Sequence, residues 1–222
     1  MSANSKTGGE RGFHHGDLRN ALMVIARRLV KQHGPEQFSL REAAREAGVS
    51  PNAAYRHFAD RRALLRELAK QGFPELAIET EQAMAAAGND PVARFRANGL
   101  AYVRFATRES DLFTLMFGPF GAGGGKEGLD MRGPASGMTG FELLGSVLDE
   151  LVAAGFLAPV DRPGAEAMAW PAMHGIAVLT NAGVLPPPIE ASFERVYPML
   201  ARAIGVRSLP DPPPGRALSE TR

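Results

Sequence analysis

The chain has 222 residues, 45% of them apolar and 22% charged, which is enough to bury a core in one small module joined to one larger one. It contains no cysteine, which excludes disulfides, zinc ribbons and thiol nucleophiles, and no run near the roughly 20 apolar residues of a membrane-spanning helix. The net charge of +1 hides an asymmetry: residues 1–70 hold 13 Lys/Arg against 7 Asp/Glu and residues 71–222 hold 12 against 17, so the halves stand at +6 and −5. The basic end is the candidate polyanion binder, with a merely solvated basic face as the plainer alternative.

The opening stretch "MSANSKTGGERGFHHGD" lacks the apolar core of a signal peptide, so a cytoplasmic location is expected, and residues 1–12 read as a loose arm. Leu18, Leu22, Ile25 and Leu29 then form a helical stripe, with Asp17 expected as N-cap and Gly34-Pro35 as the stop. Ser39, with Glu42 three residues on, predicts a capping box and a second helix that runs only to Gly48. Ser50 caps a third, with Pro51 at its first position, where a missing N–H costs nothing. Asp60 caps a fourth, Arg61 to about Gln71, whose Leu64, Leu65 and Leu68 face inward.

Beyond Gly72 the composition turns acidic and alanine-rich, and amphipathic helices are expected at about 74–87, 91–108, 110–117, 138–155, 163–184 and 189–205. "GPFGAGGGKEGLDMRGPASG", Gly118 to Gly137, is too glycine-rich for an element. It reads as a disordered surface loop, not a phosphate cradle, because no GK[ST] or strand–GxGxxG context is present. Pro171 and Pro198 should kink or interrupt their helices, and the proline-rich tail, 207–222, reads as disordered. The fold class is therefore all-α: a helix-turn-helix domain of three helices over 13–71 and a larger helical domain over 72–206.

Two short helices joined by a tight glycine turn inside a small basic unit make a helix-turn-helix, in which the second helix enters the major groove. From Phe13 to about Leu68 the chain resembles the TetR family of bacterial regulators, in "HHGDLRNALMVIARRLV", "FSLREAAREAGVS" and "PNAAYRHFADRRALL". "LFTLMFG" and the pattern of Trp170, His174 and Gly175 are similar to the subgroup whose effector region is named for its Trp-His-Gly motif.

The resemblance implies DNA-contact roles for Ser39, Arg41, Ser50, Asn52, Ala53, Tyr55, Arg56, His57 and Arg61. Ser39 would meet a phosphate at the helix N-terminus, although Ser39 and Ser50 serve equally well as simple caps. Asn52 suits an adenine edge and the Ala53 methyl a thymine, while Tyr55 resembles the family tyrosine that packs or bonds against the DNA backbone. Arg41, Arg56 and His57 are placed for phosphate or groove contacts, and Arg61 stands where the family usually carries lysine. His14-His15 offers no third metal ligand, so with Arg11 it reads as an arm near the minor groove or backbone, and no metal or cofactor is expected.

In the resembled family the larger half forms a pocket and a dimer interface. Tyr102, Phe105, Phe113, Met116, Phe117, Phe141, Trp170, Met173 and His174 are the candidate pocket, with ordinary core as the alternative for each. Ile189, Phe193, Val196, Leu200 and Ile204 recur at helical spacing as the candidate dimer seam. The reading is a homodimeric repressor, released from an inverted-repeat operator by a small, largely apolar ligand. Its expected partners are double-stranded DNA, a small-molecule effector and itself, with no membrane. A ligand-independent regulator or an activator is the alternative. A small helical enzyme has no HExxH, GxSxG, paired-carboxylate or phosphate-loop pattern behind it.

Overall fold

The computed structural model describes residues 15–121 and 132–207, with side chains from Leu18 onward. Those residues form nine helices and one isolated antiparallel bridge, between Arg132 and Thr139. The chain divides after Leu68 into two compact units. The arm with Arg11 and His14, the middle of the glycine-rich segment and the tail from residue 208 lie outside the described residues.

In the first unit, α1 (His15–His33) starts two residues before Asp17, which therefore sits in the first turn and does not cap it. Leu18, Leu22 and Leu29 are buried where α1 packs on α2 (Leu40–Glu46) and α3 (Pro51–His57). Between α2 and α3, Gly48 takes a φ of +69°, a left-handed value that a side chain would oppose. The N–H groups of Gly48 and Val49 then donate to the carbonyls of Arg45 and Ala44 at 3.1 and 3.0 Å, ending α2 sharply. Ser50 caps α3 by accepting from the Ala53 N–H at 3.3 Å. Ser39 occupies the N-cap of α2 but makes no side-chain capping bond, and Glu42 pairs with Arg45 at 3.4 Å, so the expected capping box does not form.

Asp60 accepts from the Ala63 N–H at 2.7 Å and opens α4 (Arg61–Ala86), a single helix of 26 residues. The expected break near Gly72 is absent, and Pro74 lies inside the helix. Gly72 is a contact: a Cβ there would lie 2.4 Å from Met116 Sδ and 3.1 Å from Leu112 Cγ. The missing side chain admits α6 (Ser110–Phe117), so glycine serves packing here, not termination.

In the second unit, α5 (Pro91–Arg108) packs against α6, α7 (Gly140–Ala153), α8 (Ala165–Asn181) and α9 (Ile189–Ala203). Its apolar stripe meets Leu148, Leu151, Met173 and Phe193 in the main core. Arg94 makes a two-pronged pair with Glu150 at 2.7 and 3.0 Å, tying α5 to α7, and Arg104 pairs with Glu190 at 2.8 Å, tying α5 to α9. α8 and α9 run uninterrupted through Pro171 and Pro198, because turns anchored by buried Ala169, Met173, Tyr197 and Leu200 hold each helix across the lost N–H.

The glycine-rich segment is partly built. The Gly133 N–H donates to the Met138 carbonyl at 2.7 Å, and the Glu81 carboxylate accepts from the N–H groups of Ala135 and Ser136 at 3.3 and 2.9 Å and from the Ser136 hydroxyl. Thr139 and Glu142 then form the reciprocal capping box that opens α7.

Candidate functional site

On the first unit, Asn52, Tyr55 and Arg56 are exposed and lie at i, i+3 and i+4, so one face of α3 presents an amide, a phenol and a guanidinium. Ala54, between them, is fully buried, and Phe58 closes the helix from the core with the Arg19 guanidinium 5.1 Å above its ring. Arg41 is exposed on α2 and, like Arg56, makes no ion pair among the described residues. Ser39, Ala53 and His57 are half-buried, whereas Ser50 is exposed and engaged as the α3 cap. An exposed helix N-terminus flanked by such donors suits a phosphate backbone and base edges.

Arg61, expected to contact DNA, is engaged within its own unit. Its guanidinium donates to the Pro35 carbonyl and lies 3.6 Å from Glu36, and its Nε is buried without a partner among the described residues. The planar fork thus braces the turn between α1 and α2, an orientation a lysine ammonium does not offer in the same way.

The second unit holds a cavity of about 250 Å³. α5 turns Phe95, Asn98, Gly99 and Tyr102 toward it at i, i+3, i+4 and i+7, and α4 adds Phe73, Leu76 and Thr80. Thr139, Gly140, Phe141 and Leu144 at the start of α7, Ala169, Trp170 and Met173 on α8, Phe117 on α6, and Tyr197 and Leu200 on α9 complete the wall. Among the described residues, none that lines it is charged. Phe141 is 54% exposed and Trp170 37%, their rings edge-on at 6.2 Å, which puts both at the mouth.

Of the expected pocket residues, Tyr102, Phe117, Phe141, Trp170 and Met173 line this cavity; Phe105, Phe113, Met116 and His174 do not. Phe105, Phe113 and Met116 are buried in an adjoining cluster with Leu76, Ala106, Leu112 and Ala177. His174 stands behind the wall. Trp170 Nε1–H donates to the Tyr102 hydroxyl at 3.1 Å, and that hydroxyl lies 2.8 Å from His174 Nδ1. With its oxygen accepting from the indole, Tyr102 has its O–H free to donate to a neutral imidazole. Burial supports both states: it lowers the His174 pKa and raises that of Tyr102.

Asn98, Thr80, Phe73 and Tyr197 were missed. The α5 stripe that carries Asn98 was available as a polar residue interrupting an apolar face, whereas Phe73 fell in the expected break between about Gln71 and 74.

The residues expected at a dimer seam face inward. Ile189, Phe193, Leu200 and Ile204 are buried in the chain's own core, with Val196 packed against it. The same α8–α9 pair leaves Met168, Val178, Leu179 and Met199 exposed, followed by Val184.

Residues 22–68 match the family described as bacterial regulatory proteins, tetR family, and residues 95–200 match the tetracyclin repressor-like C-terminal domain. No curated protein matches the chain. Among solved structures, a protein of unknown function from Rhodococcus sp. RHA1 is 35% identical over 88% of this chain and 100% of its own, with a TM-score of 0.71. The fatty acid degradation regulator FadR from Bacillus halodurans is 16% identical over 88% of this chain and 96% of its own, at 0.60. The TetR family transcriptional regulator PfmR from Thermus thermophilus is 18% identical over 82% and 97%, at 0.56; these last two likenesses are of fold.

Proposed function

The chain belongs to the TetR family of bacterial regulators, and from that premise we propose a homodimeric repressor that holds an inverted-repeat operator until a small molecule fills the cavity of the second unit. The observation that carries the reading is the pairing, in one chain, of an exposed α3 face bearing Asn52, Tyr55 and Arg56 with an uncharged cavity in a separate unit. α4 supplies residues to both units as one unbroken helix, so a displacement of its second half has a covalent route to the first.

Asn52 reads base edges, Ser39, Arg41, Tyr55, Arg56 and His57 contact the backbone, and a ligand releases DNA by binding the non-DNA conformation more tightly. One seven-residue recognition helix spans too few base pairs to be selective, which favours two copies on two half-sites. The exposed apolar residues of α8 and α9 suit that second copy.

The test is a footprint on the DNA flanking the gene, with a salt titration. The expected result is symmetric protection of two half-sites, about one helical turn or a multiple apart, and affinity that falls steeply as salt rises. Absence of any protected site in those flanks would falsify the reading.

A further inference from the structure

We propose that the cavity selects a neutral aromatic molecule carrying one hydroxyl or carboxamide group, which Asn98 anchors; the inference rests on the ligand-responsive reading above and names the class of ligand. Three observations carry it. Asn98 lines the cavity, is only 7% exposed, and has as its one hydrogen bond among the described residues a 3.5 Å contact from Nδ2 to the thioether of Met84. Sulfur is a weak acceptor, so a buried carboxamide is left with donor and acceptor capacity largely unused. Burying such a group without partners is costly, and a group that both donates and accepts offsets that cost.

The remaining polar atoms of the wall are already engaged. The Thr80 hydroxyl donates to the Leu76 carbonyl at 2.8 Å, the Tyr197 hydroxyl donates to the Val92 carbonyl at 3.3 Å, the Thr139 hydroxyl accepts from the Glu142 N–H at 3.1 Å, and Tyr102 is held between Trp170 and His174. Asn98 is thus the anchor with most capacity left.

The second observation is charge. With no ionised side chain among the described residues of the wall, a carboxylate or ammonium would enter without a counter-charge from them, and its desolvation would be unrepaid. The third is shape. Seven of the lining residues carry aromatic rings, which favour edge-to-face and offset contacts with a ring in the ligand. The volume, near 250 Å³, limits the occupant to a small molecule.

Trp170, the chain's one tryptophan, stands in the cavity wall and reports occupancy directly. Full-length protein is titrated with phenylbutanol, phenylbutanamide, phenylbutanoate and phenylbutylamine at neutral pH, following Trp170 emission and thermal midpoint. The expected result is saturable binding of the alcohol and the amide, with the two ions weaker by about ten-fold or more. In Asn98→Leu, which keeps the branched side-chain skeleton and removes the dipole, the alcohol and amide lose about ten-fold while butylbenzene binds at least as well as to the wild type. Equal binding of phenylbutanoate or phenylbutylamine overturns the neutral-ligand claim. Unchanged affinity of the alcohol and amide in Asn98→Leu overturns the anchor, and no binding by either neutral probe overturns the class. Binding that obeys this order without releasing a footprinted operator leaves the inference standing and removes the ligand-release reading instead.

Discussion

Asn52 and Arg61 both stand near the expected DNA surface, and the structure separates their physics. Asn52 is exposed on the first turn of α3, so Asn52→Ala should change preference among base pairs at one operator position, by ~1–3 kcal/mol. A uniform loss across operator variants, measured by competition binding, would remove the base-reading role. Arg61 holds the Pro35 carbonyl, so Arg61→Ala should first lower the unfolding midpoint, and any loss of DNA affinity should be alike on all duplexes. His174 gives a pH signature. Its folded pKa lies below the ordinary 6.5 because burial disfavours the imidazolium, so the unfolded chain takes up the proton first as pH falls. This group's contribution is intact above about pH 6.5 and is lost as pH falls through the lowered folded value. The same proton removes the Nδ1 acceptor of Tyr102. Thermal midpoints from about pH 8 to about pH 5 should therefore fall more in wild type than in His174→Asn, whose amide oxygen accepts without titrating. Parallel curves would show that His174 does not titrate in this window.

At the scale of the element, Gly72 separates helix propensity from packing. Replacing glycine inside a helix ordinarily gains up to ~1 kcal/mol, yet a Cβ at Gly72 meets Met116 Sδ at 2.4 Å in a buried position. Gly72→Val should therefore destabilise by ~1–3 kcal/mol in chemical denaturation, and Met116→Ala in the same chain should return part of that loss. Additive losses in the double variant would show that the two sites do not touch. The same glycine explains what the sequence conceals. α2 and α3 are legible because their ends are local chemistry: Gly48 must turn left-handed and Ser50 must cap. Gly72 and Pro74 look like a stop by the same local rules, and only the contact with α6 shows otherwise. Phe73 of the cavity wall fell in that break. The seam failed for a related reason: Ile189, Phe193, Leu200 and Ile204 form the apolar stripe of an amphipathic helix, and periodicity cannot say whether the facing surface belongs to the same chain or to a second one. Tyr102, Trp170 and Met173 were legible because large residues recur at helical spacing on α5 and α8, whereas Asn98 passed unnoticed as one polar residue among apolar neighbours.

For the whole molecule, the question is which face of the α8–α9 pair would carry the second copy that the proposed two-half-site operator needs. Phe193 is fully buried among Met173, Tyr197 and Leu200, and its ring stacks on Tyr197 at 5.3 Å, so an acidic substitution there attacks the fold of the subunit. Truncating a buried phenylalanine costs ~3–5 kcal/mol, and an unpaired carboxylate adds to that, against a typical domain stability of ~5–15 kcal/mol. Phe193→Asp should therefore broaden or abolish cooperative unfolding whatever the oligomeric state. The outward face behaves differently. Val178 and Leu179 on α8 and Met199 on α9 are large, apolar and exposed, and Met199 at 67% has little of its own chain to lose. Val178→Glu with Met199→Glu puts two carboxylates on that face, and in a two-fold interface each substitution acts twice. The double variant should keep its helical signal and unfolding midpoint, sediment as a monomer at concentrations where the wild type is a dimer, and bind a full operator little better than a half-site. A variant that remains dimeric with unchanged operator affinity would move the interface to another surface of the second unit, and one that unfolds would show these residues to be part of the subunit's own core.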